Sequence, residues 1–489
     1  MRTLVLVILG IGLLVLGTDL SRTLFNDEQP HEAFQTLMDL PPRAIANPKT
    51  NGYLLLLGFA VDPSLDPVQT GHDMWLEVES DRGHRYFDYN KEKRLELRVT
   101  DDDQGMSQPL QAWADLDPIA QFQKQENSPR TPSPQYRLLV DRYSHWLKMP
   151  FEDWGYGHPG TPRFAELFAA HRLYVAEGFS QGMGKGIDRL HHDLSAWRAV
   201  LANAKTLSTK VMAACIVDDD ARLMSVLLGQ HVLEKVVFEH LSGLARPLDQ
   251  AEQSMRWPIQ NKFAIGVSRF ERPFVQKDVV GQAESDQNKK WLAAAAGLNA
   301  DAFHMVEHRL PANPIAKSLL QKQKLLNTYA QYYDALIKAA EKPTSPLPKL
   351  YDFAQTSSRT LVEYFVHPIE NVFTDVSEPI WELFIVRIQE TNARLRLAAL
   401  QAKLRRPPLN QEIPTRLAEA GPSLYDPFTG IPMLWSPTQG KLYSVGKDRL
   451  DDGGDSTLDI SVSIFSPPTK TPPAPSQRGT KAKKQVRQR

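Results

Sequence analysis

Cysteine is almost absent from this chain of 489 residues, which contains only Cys215. A single cysteine forms no intramolecular disulfide and no multi-cysteine zinc site, so disulfide-stapled small domains and zinc ribbons are excluded. Because Cys215 lies in an apolar run, we expect it to be a buried hydrophobic residue. Net charge is also absent, since Lys and Arg total 57 and Asp and Glu total 57. With no overall field to attract polyanions, no nucleic-acid partner is expected.

Long apolar runs are scarce, and the one at the start of the chain is short. Arg2 precedes Leu4–Gly17, a run without polar side chains, and Asp19 ends it. A membrane-spanning helix usually needs about 20 apolar residues, whereas the core of a signal peptide needs about 7–15. The run predicts a targeting element over residues 1–22, which is either a single-pass inner-membrane anchor or a cleaved signal peptide. In both cases the bulk of the chain is expected in the periplasm or exported.

The rest of the chain has the patterns of a mainly helical protein. From residue 136 onward, apolar residues recur with the helical period, which predicts helices such as Phe164–Glu177, Ile187–Leu201 and Val211–Gln230. Before them, period-two alternation over Met74–Val78 and two following segments predicts a small sheet. The predicted fold class is mainly α, made of helical hairpins, with a small N-terminal α/β region and a small C-terminal β-hairpin module.

Changes in composition predict the domain boundaries. Proline-rich, polar stretches mark linkers at 125–135 and 342–349, and a strong helix is predicted over Trp381–Arg406. The predicted units are the targeting segment 1–22, a small α/β region 23–124, a helical domain 136–341, helices 350–406, a C-terminal module 407–465 and a disordered basic tail 466–489.

The C-terminal stretch Tyr425–Ile464 has the most specific residue order. Met433–Trp435 and Lys441–Val445 favour a hairpin, and Ile460–Ile464 alternates like an edge strand. An acidic loop rich in glycine lies between the hairpin and this strand. Its carboxylates, which we refer to as the acidic loop residues, are Asp448, Asp451, Asp452, Asp455 and Asp459. Calcium takes six to eight such oxygen ligands, and the spacing is not that of an EF-hand. The alternative is that the Asp and Gly residues only form turns.

The segment LYSVGKDRLDDGGDSTLDI resembles the C-terminal loop of the major pseudopilins of bacterial type II secretion, where an equivalent acidic loop holds calcium. The order DPFTG, LYSVG and DDGG resembles even more closely the ending of many uncharacterised bacterial envelope proteins. The resemblance covers Tyr425–Ile464, and the chain lacks the processing site and early glutamate of a pseudopilin. It therefore implies a pseudopilin-like module with a calcium site, and not a pilus subunit.

Together these features predict a non-enzymatic protein of the bacterial envelope with a binding or scaffolding role, accessory to secretion or surface assembly. The expected partners are other envelope proteins or cell-wall polymer, together with the inner membrane through the N-terminal segment.

A first alternative is an inverzincin-like zinc metallopeptidase. His304 and His308 flank Glu307 in an H-x-x-E-H string, which on a helix places both imidazoles on one face with Glu307 as the base. Glu382 lies at a distance suited to a third zinc ligand. However, Pro311 and Pro314 end the helix directly after the motif.

A second alternative is a cell-wall or glycan-binding protein, because aromatic rings stack on sugars. The aromatic stretch contains Tyr143, Trp146, Phe151, Trp154, Tyr156 and His158. The simpler interpretation is that these rings pack together beneath a loop.

Overall fold

The computed structural model describes residues 27–80, 94–95, 97, 134–157, 162–230, 233–271, 322–342, 346–348, 353, 378–407 and 411–465. Its helices are α1 Glu32–Met38, α2 Gly52–Leu57, α3 Pro67–Ser80, α4 Pro134–Trp146, α5 Phe164–Ser180, α6 Met183–Asn203, α7 Leu207–Gly229, α8 Lys235–Leu244, α9 Gln250–Gln253, α10 Arg256–Glu271, α11 Lys322–Ala340, α12 Glu378–Leu404 and α13 Ile413–Ala418. Its strands are β1 Leu434–Ser436, β2 Lys441–Ser444 and β3 Ile460–Ser463. The predicted fold class, mainly helical with a small C-terminal sheet, is confirmed.

Successive helices pack side by side in the centre of the molecule. Helix α4 packs on α5, α5 on α6, α6 on α7, and α7 on α12. The link from α5 to α6 is short and includes Gly182 with φ 123°, so the two helices lie next to each other as a hairpin. A single apolar core extends from Leu37 in α1 to Ala402 in α12.

Helix α7 lies deepest in this core. It begins after Thr206, whose side chain accepts a hydrogen bond from the Thr209 backbone N–H. Nearly all of its residues are buried, and Cys215 is among them, as predicted. A helix surrounded by other elements has no polar face to show to solvent. Charged residues on α7 therefore need partners inside the protein.

Helix α12 belongs to two apolar cores. It packs into the helical core along its length, from Trp381 and Phe384 to Ala402. In its second half, Leu397, Leu400 and Leu404 also pack against the C-terminal module, where they meet residues such as Phe428, Leu442 and Ile460. The side-chain amide of Gln401 also donates hydrogen bonds to the backbone oxygens of Ser225 in α7 and Ser463 in β3, each at 2.8 Å.

The C-terminal module contains an antiparallel sheet with the order β1-β2-β3. Leu434 pairs with Tyr443, and Tyr443 pairs in turn with Ser461. The predicted hairpin and the edge strand are confirmed. The acidic loop connects β2 to β3, and both strands pack against α12.

The strand predicted over Met74–Val78 is wrong, because these residues belong to α3. Met74 and Val78 are buried, whereas Leu76 between them is 44% exposed. A spacing of four residues places Met74 and Val78 on one helix face, which explains this burial better than alternation does. The lack of a side chain on Gly71 allows α3 to pack closely on α2. A Cβ atom at this position would lie only 1.9 Å from the Leu54 carbonyl oxygen.

The predicted targeting segment 1–22, the linker 125–135 and the basic tail 466–489 lie outside the described residues. Of the helices that are described, none combines the length and the apolar character needed to cross a membrane.

Candidate functional site

A buried polar cluster lies where α5, α6 and α7 meet. His171 of α5, Asp193 of α6 and Asp220 of α7 are all 0% exposed. Each offers one metal-ligand atom, and the three atoms lie within 4.8 Å of one another. The three residues are distant in sequence, and they meet because adjacent helices turn their core-facing sides toward one another. We call this group the core cluster.

Asp193 is the centre of a hydrogen-bond chain within the core cluster. Its Oδ1 accepts a hydrogen bond from the Tyr143 hydroxyl at 2.5 Å, and that hydroxyl accepts one from the Trp197 indole N–H. Its Oδ2 lies 2.7 Å from His171 Nδ1. Burial, together with the charge of Asp193, raises the pKa of Tyr143 well above its usual range. The Tyr143 hydroxyl therefore remains protonated and acts as a donor to Asp193.

The other side of the His171 ring faces Asp219. His171 Nε2 lies 3.7 Å from Asp219 Oδ2, and the Arg172 guanidinium pairs with both Asp219 oxygens. Burial lowers the pKa of His171, but the contacts with Asp193 and Asp219 have a larger opposite effect, so the pKa is raised overall. Burial raises the pKa of Asp219, but the contacts with His171 and Arg172 have a larger opposite effect, so the pKa of Asp219 is lowered overall. Arg172 therefore supplies positive charge on this side, and the two aspartates favour the protonated form of His171.

Asp220 is the member of the core cluster whose charge has no partner. Both of its carboxylate oxygens are buried, and neither accepts a hydrogen bond within the described part of the chain. Burial raises its pKa well above the usual range, and the charge of Asp193, a side-chain hydrogen bond with Asp193 and the charge of Asp219 add to this effect. Three carboxylates thus lie around one guanidinium, that of Arg172, and one imidazole, that of His171. The remaining negative charge must be neutralised by a proton or by a bound cation.

The neighbouring residue Asp218 has a structural role. It forms ion pairs with Arg394 at 2.7 Å, with Arg222 at 2.9 Å and with Arg387 at 3.4 Å. Burial opposes its ionisation, but the three arginines outweigh it and hold its pKa well below the usual range. Since Arg387 and Arg394 belong to α12, this group connects α7 to α12. The charge of Asp218 is therefore compensated by three arginines.

The acidic loop residues are mostly satisfied by local hydrogen bonds. Asp451 Oδ1 accepts from the Tyr443 hydroxyl at 3.0 Å and from the Gly453 N–H at 2.9 Å. Asp448 accepts from the Leu450 N–H at 3.1 Å. Asp455 accepts from both the N–H and the hydroxyl of Thr457, which lowers the pKa of this fully exposed carboxyl group. These bonds order the loop around its glycines.

Asp459 differs from the other acidic loop residues because it is only 4% exposed. Its Oδ2 accepts from the Gly454 N–H at 2.8 Å, and its Oδ1 is buried without a hydrogen-bond partner among the described residues. Burial raises the pKa of Asp459, and the carboxylates of Asp452, Asp451 and Asp448 add to this effect although the Gly454 N–H opposes it. Its free oxygen is therefore suited to a cation.

The core cluster and the acidic loop residues differ in how closely their candidate ligand atoms approach one another. Within the described ranges, three such atoms within 4.8 Å of one another occur only at His171, Asp193 and Asp220. The acidic loop residues do not form such a group, and calcium binding by this loop stays a prediction. Of the predicted zinc site, His304, Glu307 and His308 lie outside the described residues, and Glu382 is exposed on α12. The zinc site also stays a prediction.

Three rings of the aromatic stretch are buried in the protein. Tyr143, Trp146 and Trp154 are 0%, 2% and 5% exposed. The Trp146 and Trp197 ring centroids lie 4.8 Å apart, and the Arg43 guanidinium lies 4.5 Å from the Trp154 ring centroid. These rings therefore do not line an open groove, and packing is the correct interpretation for them. His158 lies outside the described residues.

Sequence reasoning missed the core cluster, although one signal was present. Three consecutive aspartates, Asp218, Asp219 and Asp220, interrupt an apolar helix that has no polar face to place them on. Consecutive residues of a helix point in directions about 100° apart, so each aspartate meets a different neighbour. Comparison of the chain with protein-family models, curated proteins and solved structures gives no match. Function is therefore inferred from the geometry of the two clusters.

Proposed function

We propose that this chain is a non-enzymatic binding or scaffolding protein of the bacterial envelope. In this proposal the C-terminal module, residues 407–465, docks other envelope proteins when its acidic loop holds calcium. The envelope location is supported by the N-terminal order of Arg2 followed by the apolar run Leu4–Gly17. It is also supported by the resemblance of Tyr425–Ile464 to the ends of envelope proteins.

The observation that carries the proposal is the buried Oδ1 of Asp459, which has no hydrogen-bond partner in the described module. Leaving an ionised buried oxygen unpaired is unfavourable, and a hard cation removes this penalty. Asp448, Asp451 and Asp452 supply further carboxylate oxygens in the same loop. Calcium prefers this all-oxygen chemistry over the nitrogen or sulfur ligands that transition metals favour.

Calcium in the loop would act on the rest of the protein through β3. Asp459 directly precedes β3, and β3 packs on α12. A loop ordered by calcium would hold the start of β3 in place and present one defined surface to a partner. The partner would then be connected to the helical core through α12, as expected of a scaffold.

We test the proposal by adding calcium to the full chain after treatment with EDTA. About one equivalent of calcium is expected by elemental mass spectrometry. The thermal midpoint should rise, because a ligand present at 100 times its Kd stabilises the native state by about 2.7 kcal/mol. Asp459→Asn should abolish both effects. Glu382→Gln, at an exposed position on α12, should retain both.

Absence of both bound calcium and a midpoint shift in the wild-type chain would overturn the calcium part of the proposal. The location is tested separately by adding protease to spheroplasts of the expressing bacterium. Cleavage of the C-terminal module from outside supports an envelope protein, and protection until the membrane is lysed contradicts one.

A further inference from the structure

We propose that His171, Asp193 and Asp220 form a structural site for a divalent transition-metal cation of the zinc class. This site is separate from the acidic loop and does not depend on the envelope proposal. It would connect α5, α6 and α7 at the centre of the helical domain.

The first argument is the arrangement of donor atoms. Three helices each contribute one ligand residue, and one atom of each lies within 4.8 Å of the other two. Asp220 has two oxygens that accept no hydrogen bond in the described residues, so it can supply a second donor atom. One imidazole nitrogen and three carboxylate oxygens complete a set of four, the number that structural zinc sites use.

The second argument is charge. Removing Asp193, Asp219 and Asp220 from water is unfavourable unless positive charge compensates them. Arg172 is held by Asp219, and His171 lies between Asp193 and Asp219. Among the described residues Asp220 is paired with no cation, and its nearest polar neighbour is another carboxyl group, that of Asp193. A divalent cation between Asp193 and Asp220 supplies the missing charge and at the same time coordinates the uncommitted oxygens.

The third argument is the set of groups around the ligands. Histidines that bind metals usually donate their second N–H to a carboxylate, and ligating carboxylates are themselves hydrogen-bonded. His171 turns Nδ1 toward Asp193 and Nε2 toward Asp219. Tyr143 donates to Asp193 and is itself oriented by Trp197. The surroundings therefore fix the orientation of both the imidazole and the Asp193 carboxylate.

The donor set and the burial define the class of site. Calcium takes six to eight oxygen ligands, so a buried set containing an imidazole nitrogen suits zinc or a neighbouring transition metal better. All three side chains are 0% exposed, which leaves no position for a substrate. A metal here would stabilise the fold. Its binding to Nδ1 replaces the contact of His171 with Asp193, and the proton on that nitrogen is released to solvent.

The experiment is elemental mass spectrometry of the untagged full chain, expressed with added zinc and purified without chelator. About one equivalent of zinc is expected in the wild-type chain, and Asp220→Asn should lose it. Asp459→Asn is the matched control, because it changes the acidic loop and leaves the core cluster intact. It should retain the zinc, which also separates this result from the test of calcium binding.

Two further measurements keep the test independent of whether the variant folds. A zinc chelator should lower the thermal midpoint of the wild-type chain, and zinc should restore it. Cobalt(II) should replace zinc and give visible absorption bands that Asp220→Asn lacks. The inference is overturned if the folded wild-type chain binds neither zinc nor cobalt. It is also overturned if Asp220→Asn is as stable as the wild type with and without chelator, since Asp220 would then be a protonated carboxyl group.

Discussion

The core cluster and the acidic loop contain the same side chain in two opposite environments. In the loop, Asp455 is fully exposed and is satisfied by its neighbour Thr457. In the core, Asp193 is fully buried and depends on Tyr143 and His171, which come from other helices. Water can solvate an aspartate in the loop, whereas an aspartate in the core has only the partners that the fold provides.

This difference shows why the number of aspartates is a poor guide to function. The acidic loop has five of them, yet four are exposed and three of those are satisfied by local hydrogen bonds. The core has fewer, and there the absence of a partner for Asp220 is informative, because a buried unpaired carboxylate is unfavourable. The comparison predicts that substitutions in the core have large effects and that equivalent ones in the loop have small effects.

The largest effect is expected for Asp193→Ala. Removing this carboxylate leaves His171 Nδ1 and the Tyr143 hydroxyl buried without the group that they contact, which should lower the free energy of unfolding by about 3–5 kcal/mol. Denaturant unfolding of the full chain measures this change. Asp188→Ala lies on the same helix at an exposed position and should change the free energy by less than about 0.5 kcal/mol. Equal changes in the free energy of unfolding for the two substitutions would contradict the difference between buried and exposed aspartates.

Lys210 on α7, the helix that also carries Asp220, extends the comparison to a buried group of the opposite charge. Its ammonium donates to the carbonyl oxygens of Leu201 at 2.7 Å and Glu252 at 2.8 Å, and burial lowers its pKa to about 7. The unfolded lysine remains protonated up to a pH of about 10.4. Between these two values the unfolded state binds more protons than the native state. The free energy of unfolding should therefore rise with pH, by up to about 1.4 kcal/mol per pH unit.

Urea unfolding at a series of pH values between about 7 and about 9 measures this slope. Lys210→Met removes the titrating group and fills a similar volume, so its profile should be flatter than that of the wild type. Identical slopes for the two proteins would show that Lys210 keeps its charge in the core.

The smallest effect is expected for Asp455→Asn in calcium-free buffer. The asparagine carbonyl can still accept from the Thr457 N–H, and the site is fully exposed, so no detectable change in the thermal midpoint is expected. In the same buffer Asp459→Asn should raise the midpoint, because it removes a buried charge that Asp448, Asp451 and Asp452 repel. If Asp455→Asn lowered the thermal midpoint more than Asp193→Ala does, the comparison between loop and core would be contradicted.

The sequence predicted the elements whose pattern is local. Helices such as Phe164–Ser180, and the hairpin of β1 and β2, follow from apolar periods and turn residues that lie within one segment. The strand at Met74–Val78 was wrong because a few alternating residues also fit one face of a helix. Short apolar patterns therefore do not distinguish a strand from a helix by periodicity alone.

The core cluster was not predictable in the same way. Tyr143, His171, Asp193 and Asp220 come from four helices, and their contacts depend on how those helices pack. In the sequence Asp193 lies next to His191 and His192, but both of these are exposed, and its actual partner is His171. The acidic loop residues were identifiable because they lie within a single short segment.

Helix α12 completes both apolar cores, and this determines how the molecule would respond to mechanical force. A force applied to the C-terminal module is transmitted to the helical core through the backbone of one continuous helix, because α12 contributes residues to both cores. For the same reason, the module cannot be cut out as an independent unit, because a fragment without α12 would expose the surface around Phe428 and Leu442. The two cores should therefore unfold together rather than one after the other.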